Sequence, residues 1–255
     1  MNNEISFEKF LSKFNFREQM MGLVGIERER FLKDSNGLTV PRSQEFLLKI
    51  NDNRWTYELS ACQVEDRTNP CKSISKIKKE MTYNDGVGHM TAKEKNLLFC
   101  NVEVADEDMP LDIYPNPRYI QIARQISQER LSAACRVAGT HLHFGMPNLE
   151  SSIRVANLLR EKLDYFCSIG DHSHGERLRL YKIMAQKWEP PYYENTQHFF
   201  EIARKEGFVE NPRECWNLIR ISIHGSIELR MFGSTEDTNE ICHWIELSKK
   251  IIFSD

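Results

Sequence analysis

The sequence predicts an α+β protein, with a mainly antiparallel sheet and helices packed on one of its faces. Three observations carry this. The segments NLIRISI and SIELRMF, between Asn217 and Phe232, lie so close in the chain that only an antiparallel hairpin can join them. LVGIERERF and VAGTHLHFGM alternate between faces with the period of a strand. Apolar residues at Leu149, Ile153, Ala156, Leu159, Leu163, Phe166 and Ile169 keep the three-and-four spacing of a helix that buries one stripe.

Taken in order, residues 5–20 read as a short amphipathic helix, with the strand LVGIERERF after it. A helix is predicted from Ser43 to Ile50, extended chain through WTYELSACQVEDRT, and a lysine-rich helical stretch from Ser73 to about Met81 that Asn84–Gly88 breaks. LLFCNVEV reads as a strand, the proline-rich DIYPNPRYI as a loop, and Gln121–Arg136 as a helix leading into VAGTHLHFGM. After the Leu149–Ile169 helix come helices at Arg177–Gln186 and Thr196–Glu206, the hairpin, and a closing helix from Thr238 to Ile252. No repeat, low-complexity segment or linker interrupts this run. One domain over residues 1–255 is expected, a length that can bury a sizeable core.

A formal net charge of −3 and a pI near 6.3 exclude a global attraction to nucleic acid or acidic membranes. No apolar run reaches the roughly 18 residues that span a bilayer, and MNNEISFEKF is too polar for a secretory signal, so a cytoplasmic protein is expected. The seven cysteines are odd in number, scattered, and never paired as C-x-x-C. That spacing argues for reduced thiols and against a structural zinc site.

Residues two apart on a strand share a face, so Glu27 and Glu29 in GIERER project side by side, as do His141 and His143 in GTHLHFG and Glu228 and Arg230 in SIELRMFG. Arg220, Ser222 and His224 alternate in the same way in RISIHG. A solvated, salt-bridged surface is the plain alternative for each motif alone. In YELSACQVE, strict alternation sets Glu58 opposite Gln63 and Glu65, so all three serve one site only if the chain bulges or turns near Ser60 and Ala61. Arg28 and Arg30 fall on the face that should pack against helices; there they need either an exposed edge or acidic partners.

Together these motifs gather five carboxylates, two histidines and at least two arginines on strand faces, a set that suits a metal-bound triphosphate: ATP with Mg²⁺ or Mn²⁺. There is no GxxxxGK[ST] loop and no GxGxxG, so nucleotide binding would rest on the sheet.

In this order the motifs resemble the type 2 glutamate-cysteine ligase and carboxylate-amine ligase family, a distant relative of glutamine synthetase. GIERE matches its G-x-E-x-E strand, ELSACQVE its E…Q-x-E segment, NPRY an R-Y element, GTHLHFG its H-x-H strand, and WNLIRISIHGSIELR its W…R…(T/S)-x-E-x-R ending. The resemblance implies a curved, glutamine synthetase-like sheet and an ATP-dependent ligase that forms an amide through an acyl-phosphate. It implies one metal held by Glu29, Glu58 and Glu65 and a second by Glu27, His141 and Glu228. His143, Arg220 and Gln63 would meet the nucleotide, and Arg230, Arg118, Arg177 and Arg179 the acid substrate, with Arg220, Arg230 and Glu65 acting in catalysis. The partners implied are a small carboxylate, glutamate being the family precedent, and an amine; a homodimer is compatible with an exposed sheet edge. Against the family pattern, the single catalytic domain is expected to be short on its C-terminal side, and Ile221 stands after Arg220 where a proline is common. A metal-nucleotide-dependent phosphotransferase or hydrolase, and a non-catalytic nucleotide-binding protein, are the alternatives on the same residues. A Glu228→Ala change is expected to abolish turnover with modest effect on folding, by relieving repulsion in an anionic site.

Overall fold

The alternating segments do form one sheet. The computed structural model describes residues 5–253, and its seven strands pair antiparallel throughout. Residues 1–4 and 254–255 of the expected domain lie outside the described residues. Strand β1 (Val24–Lys33) has β3 (Gln63–Arg67) along one edge and β5 (Gly139–Gly145) along the other. Beyond them lie β2 (Trp55–Tyr57) on one side, and β7 (Ser226–Gly233) then β6 (Ile219–Ser222) on the other. The end of β1 also pairs with β4 (Leu98–Cys100), which is shorter than LLFCNVEV because beyond the Phe31–Cys100 pair the same edge of β1 passes to β5, from Arg28.

Alternation decides which side is apolar. Ile26, Leu142, Phe144, Ile227 and Leu229 share the main core with Ile153 and Leu159 of α6 (Leu149–Arg160), Phe166 of α7 (Leu163–Ile169), and Trp244 and Ile245 of α10 (Thr238–Ile252). Phe10 of α1 (Phe7–Leu11) joins the same core through Phe199 and Phe200 of α9 (Thr196–Glu206). A second cluster, with Phe46, Trp55, Val64, Ala92 and Phe99, seats α2 (Ser43–Ile50) and α3 (Ile74–Glu94) on the β2–β3–β1 end. Three helices stand over the opposite, polar face: α4 (Pro117–Gln125), α5 (Gln128–Arg136) and α8 (Glu176–Ala185).

Several predicted boundaries move, each for a local reason. The break predicted at Asn84–Gly88 does not occur, and α3 runs unbroken. Asn84 is buried and donates its amide to Asp66 (3.0 Å) and to the Arg67 carbonyl (3.1 Å), while Gly88 lets the Trp55 and Phe99 rings approach the helix backbone. These helix-weakening residues are there to fit the helix onto the sheet, and packing outweighs their propensity. The loop predicted for DIYPNPRYI gives way to α4, because Asn116 caps the Arg118 amide and Pro117 sits in the first turn, where no donor is needed. Ser127 caps a new helix, so Gln121–Arg136 divides into α4 and α5. The stripe from Leu149 to Ile169 likewise divides, at Glu161–Lys162. Residues 5–20 shrink to α1 and a single 3₁₀ turn at Glu18–Met20.

Two glycines of α3 make opposite predictions. A Cβ at Gly86 meets nothing within 4 Å, whereas one at Gly88 would lie 2.8 Å from Trp55 and 2.9 Å from Phe99. Denaturant melts should show Gly86→Ala more stable by about 0.5–1 kcal/mol and Gly88→Ala less stable by about 1–3 kcal/mol.

Candidate active site

Strand register places the polar side chains against one another. Glu27 pairs with His141 across one seam and Arg67 across the other; Glu29 faces Glu65, His143 faces Glu228, and Glu228 faces Arg220. The long segment WTYELSACQVEDRT becomes a hairpin: Thr56 pairs with Glu65, and the chain turns where the Gln63 amide donates to the Ser60 carbonyl (3.1 Å). That turn puts Glu58 beside Glu29 and Glu65.

Two groups of three donors result. Ligand atoms of Glu29, Glu58 and Glu65 lie within 4.8 Å of one another, as do those of Glu27, His143 and Glu228. The second group gathers around His143, whereas the sequence points to His141. His143 sits directly opposite Glu228, with its Nε2 3.2 Å from Glu27. His141 lies between the groups, with Nδ1 3.7 Å from Glu27 and 3.9 Å from Glu228 and Nε2 3.7 Å from Glu29. An extra residue on β7, opposite the Thr140–Leu142 step, offsets the register beside His141.

The two groups differ in charge balance. In the first, burial and then the neighbouring Glu58 charge push the Glu29 carboxyl up to about 8, although the Gly139 amide donates to it (2.7 Å). Burial, then Glu27 and Glu58, hold Glu65 well above the usual carboxylate range; burial also raises Glu58. In the second, burial would raise Glu27, but His143 and His141 outweigh it and hold the carboxyl well below its ordinary value. Glu228 is fully buried, yet Arg220 and Arg230 overcome that burial and depress it strongly. Burial and then Arg230 bring His141 down to about 4, leaving a neutral imidazole near neutrality, while Glu27 and Glu228 overcome burial to raise His143. Three crowded carboxylates that retain protons match the oxygen donor set of a hard divalent cation, and two carboxylates with an imidazole also suit Mg²⁺ or Mn²⁺.

Over this floor lies a cavity of about 400 Å³ lined by both strand residues and α4, α5 and α8. A second, of about 220 Å³, reaches His143 and shares Glu27, Arg67 and His224 with the first. Arg230 lines the first, donating from Nε to the Tyr181 hydroxyl (3.0 Å), which in turn donates to the Trp216 carbonyl (3.0 Å). Arg118 is exposed at the wall, on the first turn of α4, its guanidinium 5.8 Å from the Tyr119 ring centre. Two expectations need correction and a third is qualified. Arg177 lines the cavity but directs Nε, Nη1 and Nη2 to the carbonyls of Ala138 (2.8 Å), Met231 (2.9 Å) and Arg230 (3.0 Å), which makes it a backbone brace and not a substrate contact. Arg179 lies on the outer side of α8, paired with Glu176 and absent from the cavity wall. Gln63 lines the cavity as expected of a contact residue, but it is buried and donates its side-chain amide to the Val137 carbonyl (2.7 Å), so it also braces β3.

Tyr57 and Tyr181, to which the motifs gave no role, also line the cavity, as do Tyr119 of NPRY and Trp216 at the head of WNLIRISIHGSIELR. Tyr181 had a signal, since it follows Arg177 by four residues and shares its helix face.

Residues 23–169 match the sequence profile of glutamate-cysteine ligase family 2. The chain belongs to that family. The match includes Glu27, Glu29, Glu58, Glu65, His141 and His143. A glutamate–cysteine ligase of Natronomonas pharaonis is 22% identical over 259 residues, covering 91% of this family 2 chain and 69% of its own length. One of Haloferax volcanii is 22% identical over 254 residues, 89% of this chain and 68% of its own. A Rhodococcus jostii relative, 24% identical over 190 residues, is matched over only 51% of its length, so the chain spans about half to two thirds of these relatives. Among solved structures, a bifunctional glutathione synthetase from Pasteurella multocida shares the fold, with a TM-score of 0.65 and 13% identity over 99% of this chain and 40% of that one.

Two predictions follow from the charge balance. The Glu29, Glu58 and Glu65 carboxyls titrate above their unfolded values, so the folded protein retains protons the unfolded chain has released; that stability is full below about pH 4.5 and is lost as pH rises toward about 8. Melting temperatures of chelator-treated protein should therefore fall between about pH 6 and pH 8.5, with Mg²⁺ or Mn²⁺ restoring most at the alkaline end. Substitutions should also divide by group. Glu228 holds two arginines, so the expectation that losing this acid relieves repulsion is overturned: Glu228→Ala should cost about 3–5 kcal/mol by stranding buried cations. Relief belongs to Glu65→Gln, which should keep or raise the melting temperature of chelator-treated protein while removing the part of its response to added cation that comes from the Glu29, Glu58 and Glu65 group.

Proposed function

We propose that this chain joins a carboxylate to an amine at the expense of ATP, through an acyl-phosphate. The observation that carries the reading is the pair of three-donor groups on one sheet face, bordered by Arg220 and Arg230 and roofed by a cavity of about 400 Å³. A carboxylate oxygen of the acid attacks the γ-phosphorus and the bond to ADP breaks. The amine then attacks the acyl carbon, phosphate leaves, and the new amide nitrogen loses its proton.

Glu29, Glu58 and Glu65 would hold one divalent cation, and Glu27, His143 and Glu228 the other; bound there, the cations neutralise phosphate charge and polarise the transferring group. The protein's own part is placement and charge. Arg220, on β6, sits where phosphate oxygens would approach the second group, and Arg230 is aimed by Tyr181 toward the space above the first. Neutral His141, between the two, can accept or share a proton with either neighbouring carboxylate. Arg118 enters from the wall, suited to the far charge of the acid substrate. No nucleophilic side chain is required, since aligned reactants supply most of the acceleration. Family membership and the fold shared with a glutathione synthetase support this chemistry; glutamate as the acid and cysteine as the amine are the pair suggested by the relatives' names.

Purified protein incubated with ATP, Mg²⁺ or Mn²⁺ and amino-acid pools should yield ADP, phosphate and a condensed product by mass spectrometry. Phosphate release without any condensed product would point to a hydrolase, and intact ATP in every pool would sink the ligase reading. With the active acid identified, Arg118→Ala should raise its KM about tenfold or more with little change in melting temperature, because the side chain is exposed and charge-assisted contacts of this kind are worth about 1.5–3 kcal/mol.

A further inference from the structure

Directly behind the first carboxylate group, on the helix-facing side of the sheet, lies a charge pair that the proposed chemistry leaves unused. Arg28 of β1 and Asp66 of β3 are cross-strand partners, both fully buried. Arg28 donates Nε and Nη2 to one Asp66 oxygen (3.1 and 2.9 Å), Nη1 to Asp85 of α3 (3.2 Å), and Nη2 to the Met81 carbonyl (3.0 Å). Asn84 of α3 donates to the same Asp66 oxygen (3.0 Å). One arginine thus ties β1, β3 and α3 together.

The seam it spans works against itself. Glu29 and Glu65 are direct partners across it, and like charges placed opposite one another destabilise a register. The flanking pairs, Arg30 with Val64 and Phe31 with Gln63, supply no apolar match to hold it, and on the face of the acids only the partly exposed pair Glu27 with Arg67 favours it. A two-residue slip would keep every side chain on its own face, yet Glu29 would then meet Gln63 or Arg67, and the three acids would disperse. The same slip would set Arg28 against Val64 or Thr68 and pull it from its partners on α3. The buried pair behind this seam therefore supplies a register preference that the Glu29–Glu65 pair in front of it opposes.

We propose that Arg28 and Asp66, anchored to α3 through Asp85 and Asn84, are positioning residues that hold β1 on β3 in the register that assembles Glu29, Glu58 and Glu65 into one cation site. The inference rests on reading those carboxylates as a cation site. It is selective: the other group draws Glu27, His143 and Glu228 from β1, β5 and β7, and so does not involve β3.

The test is Mn²⁺ binding by titration calorimetry alongside thermal melts, with the two sites assigned by their loss in Glu65→Gln and in Glu27→Gln. Arg28→Lys, which loses the two-pronged contact, and the double variant Arg28→Met with Asp66→Leu, which replaces the pair by apolar bulk, are the probes. Both should lose about 10–100-fold in Mn²⁺ affinity at the Glu29, Glu58 and Glu65 site and keep the affinity of the other. The double variant should do so with a moderate fall in melting temperature: apolar replacement of a buried ion pair is itself often neutral, but Asn84 and Arg30 lose Asp66 as a partner. Should Arg28→Lys not fold, Asp85→Asn, at the partly exposed end of the network, should give a smaller loss at the same site. Unchanged affinity in a folded variant overturns the proposal, as does a parallel loss at both sites. Wild-type protein that binds no Mn²⁺, or that binds it as tightly after Glu65→Gln, sinks the cation reading itself, and this proposal with it.

Discussion

Repulsion between carboxylates is the constraint around which this chain is built. An antiparallel sheet repeats its faces every two residues, so sequences that put acids on alternate positions of neighbouring strands stack them a few ångströms apart. Here that stacking places Glu29 opposite Glu65 and brings Glu58 round a hairpin to join them. Burial raises the cost of charge, and these acids respond by holding their protons. The adjoining group escapes the same fate because Arg220, Arg230 and two histidines supply the missing positive charge. One sheet face thus carries a nearly neutral polar cluster beside an uncompensated acidic one, and the difference lies in which strands border each. Cationic side chains line the β6–β7 edge; at the β2–β3 side Arg67 stands 3.7 Å from Glu65, and Arg230 and Arg177 lower Glu29 without overcoming its burial.

Much of this was legible in the sequence because it depends on periods. The E-x-E, H-x-H and E-x-R patterns follow from alternation on a strand, and the need for Glu58 to turn back follows from the same rule. What could not be read depends on contacts between distant segments. Asn84 and Gly88 look like helix breakers until Asp66, Trp55 and Phe99 are brought against them. His143 joins Glu27 and Glu228 because of the β5–β7 register, a property of no single strand. Arg177 carries the same charge as a substrate-binding arginine, and only the three carbonyls around it reveal a brace. Arg28 and Arg30 look misplaced on an apolar face until Asp66 and Asp85 are set beside them.

The floor and the walls of the cavity are therefore held by different forces. Floor residues sit on strands whose register is fixed by ladders on both edges and by the core behind, so a change in one strand shifts its neighbours as well. Wall residues ride on helices of unequal anchoring: α8 buries Arg177, Leu180, Tyr181 and Ala185, whereas α4 buries none. Arg230 links the two, because it rises from β7 but takes its direction from Tyr181 of α8. The guanidinium facing the cavity is in this way aimed by a wall and charged against the floor.

On the proposed ligase reading, reaction class and substrate choice fall to separate parts of the chain. The groups that would handle phosphate and cations are cross-strand partners, and altering one leaves another buried and unpaired. Arg118 and Tyr119 belong to α4, a helix with no buried residue, begun by a single asparagine cap and a proline. Substitutions along α4 disturb no ladder and no core, so the acid that is bound can change while the chemistry beneath it is kept. A family that holds its floor constant and varies such a wall can serve different carboxylates with one mechanism, and in this chain the boundary between the two runs between Arg230 and Arg118.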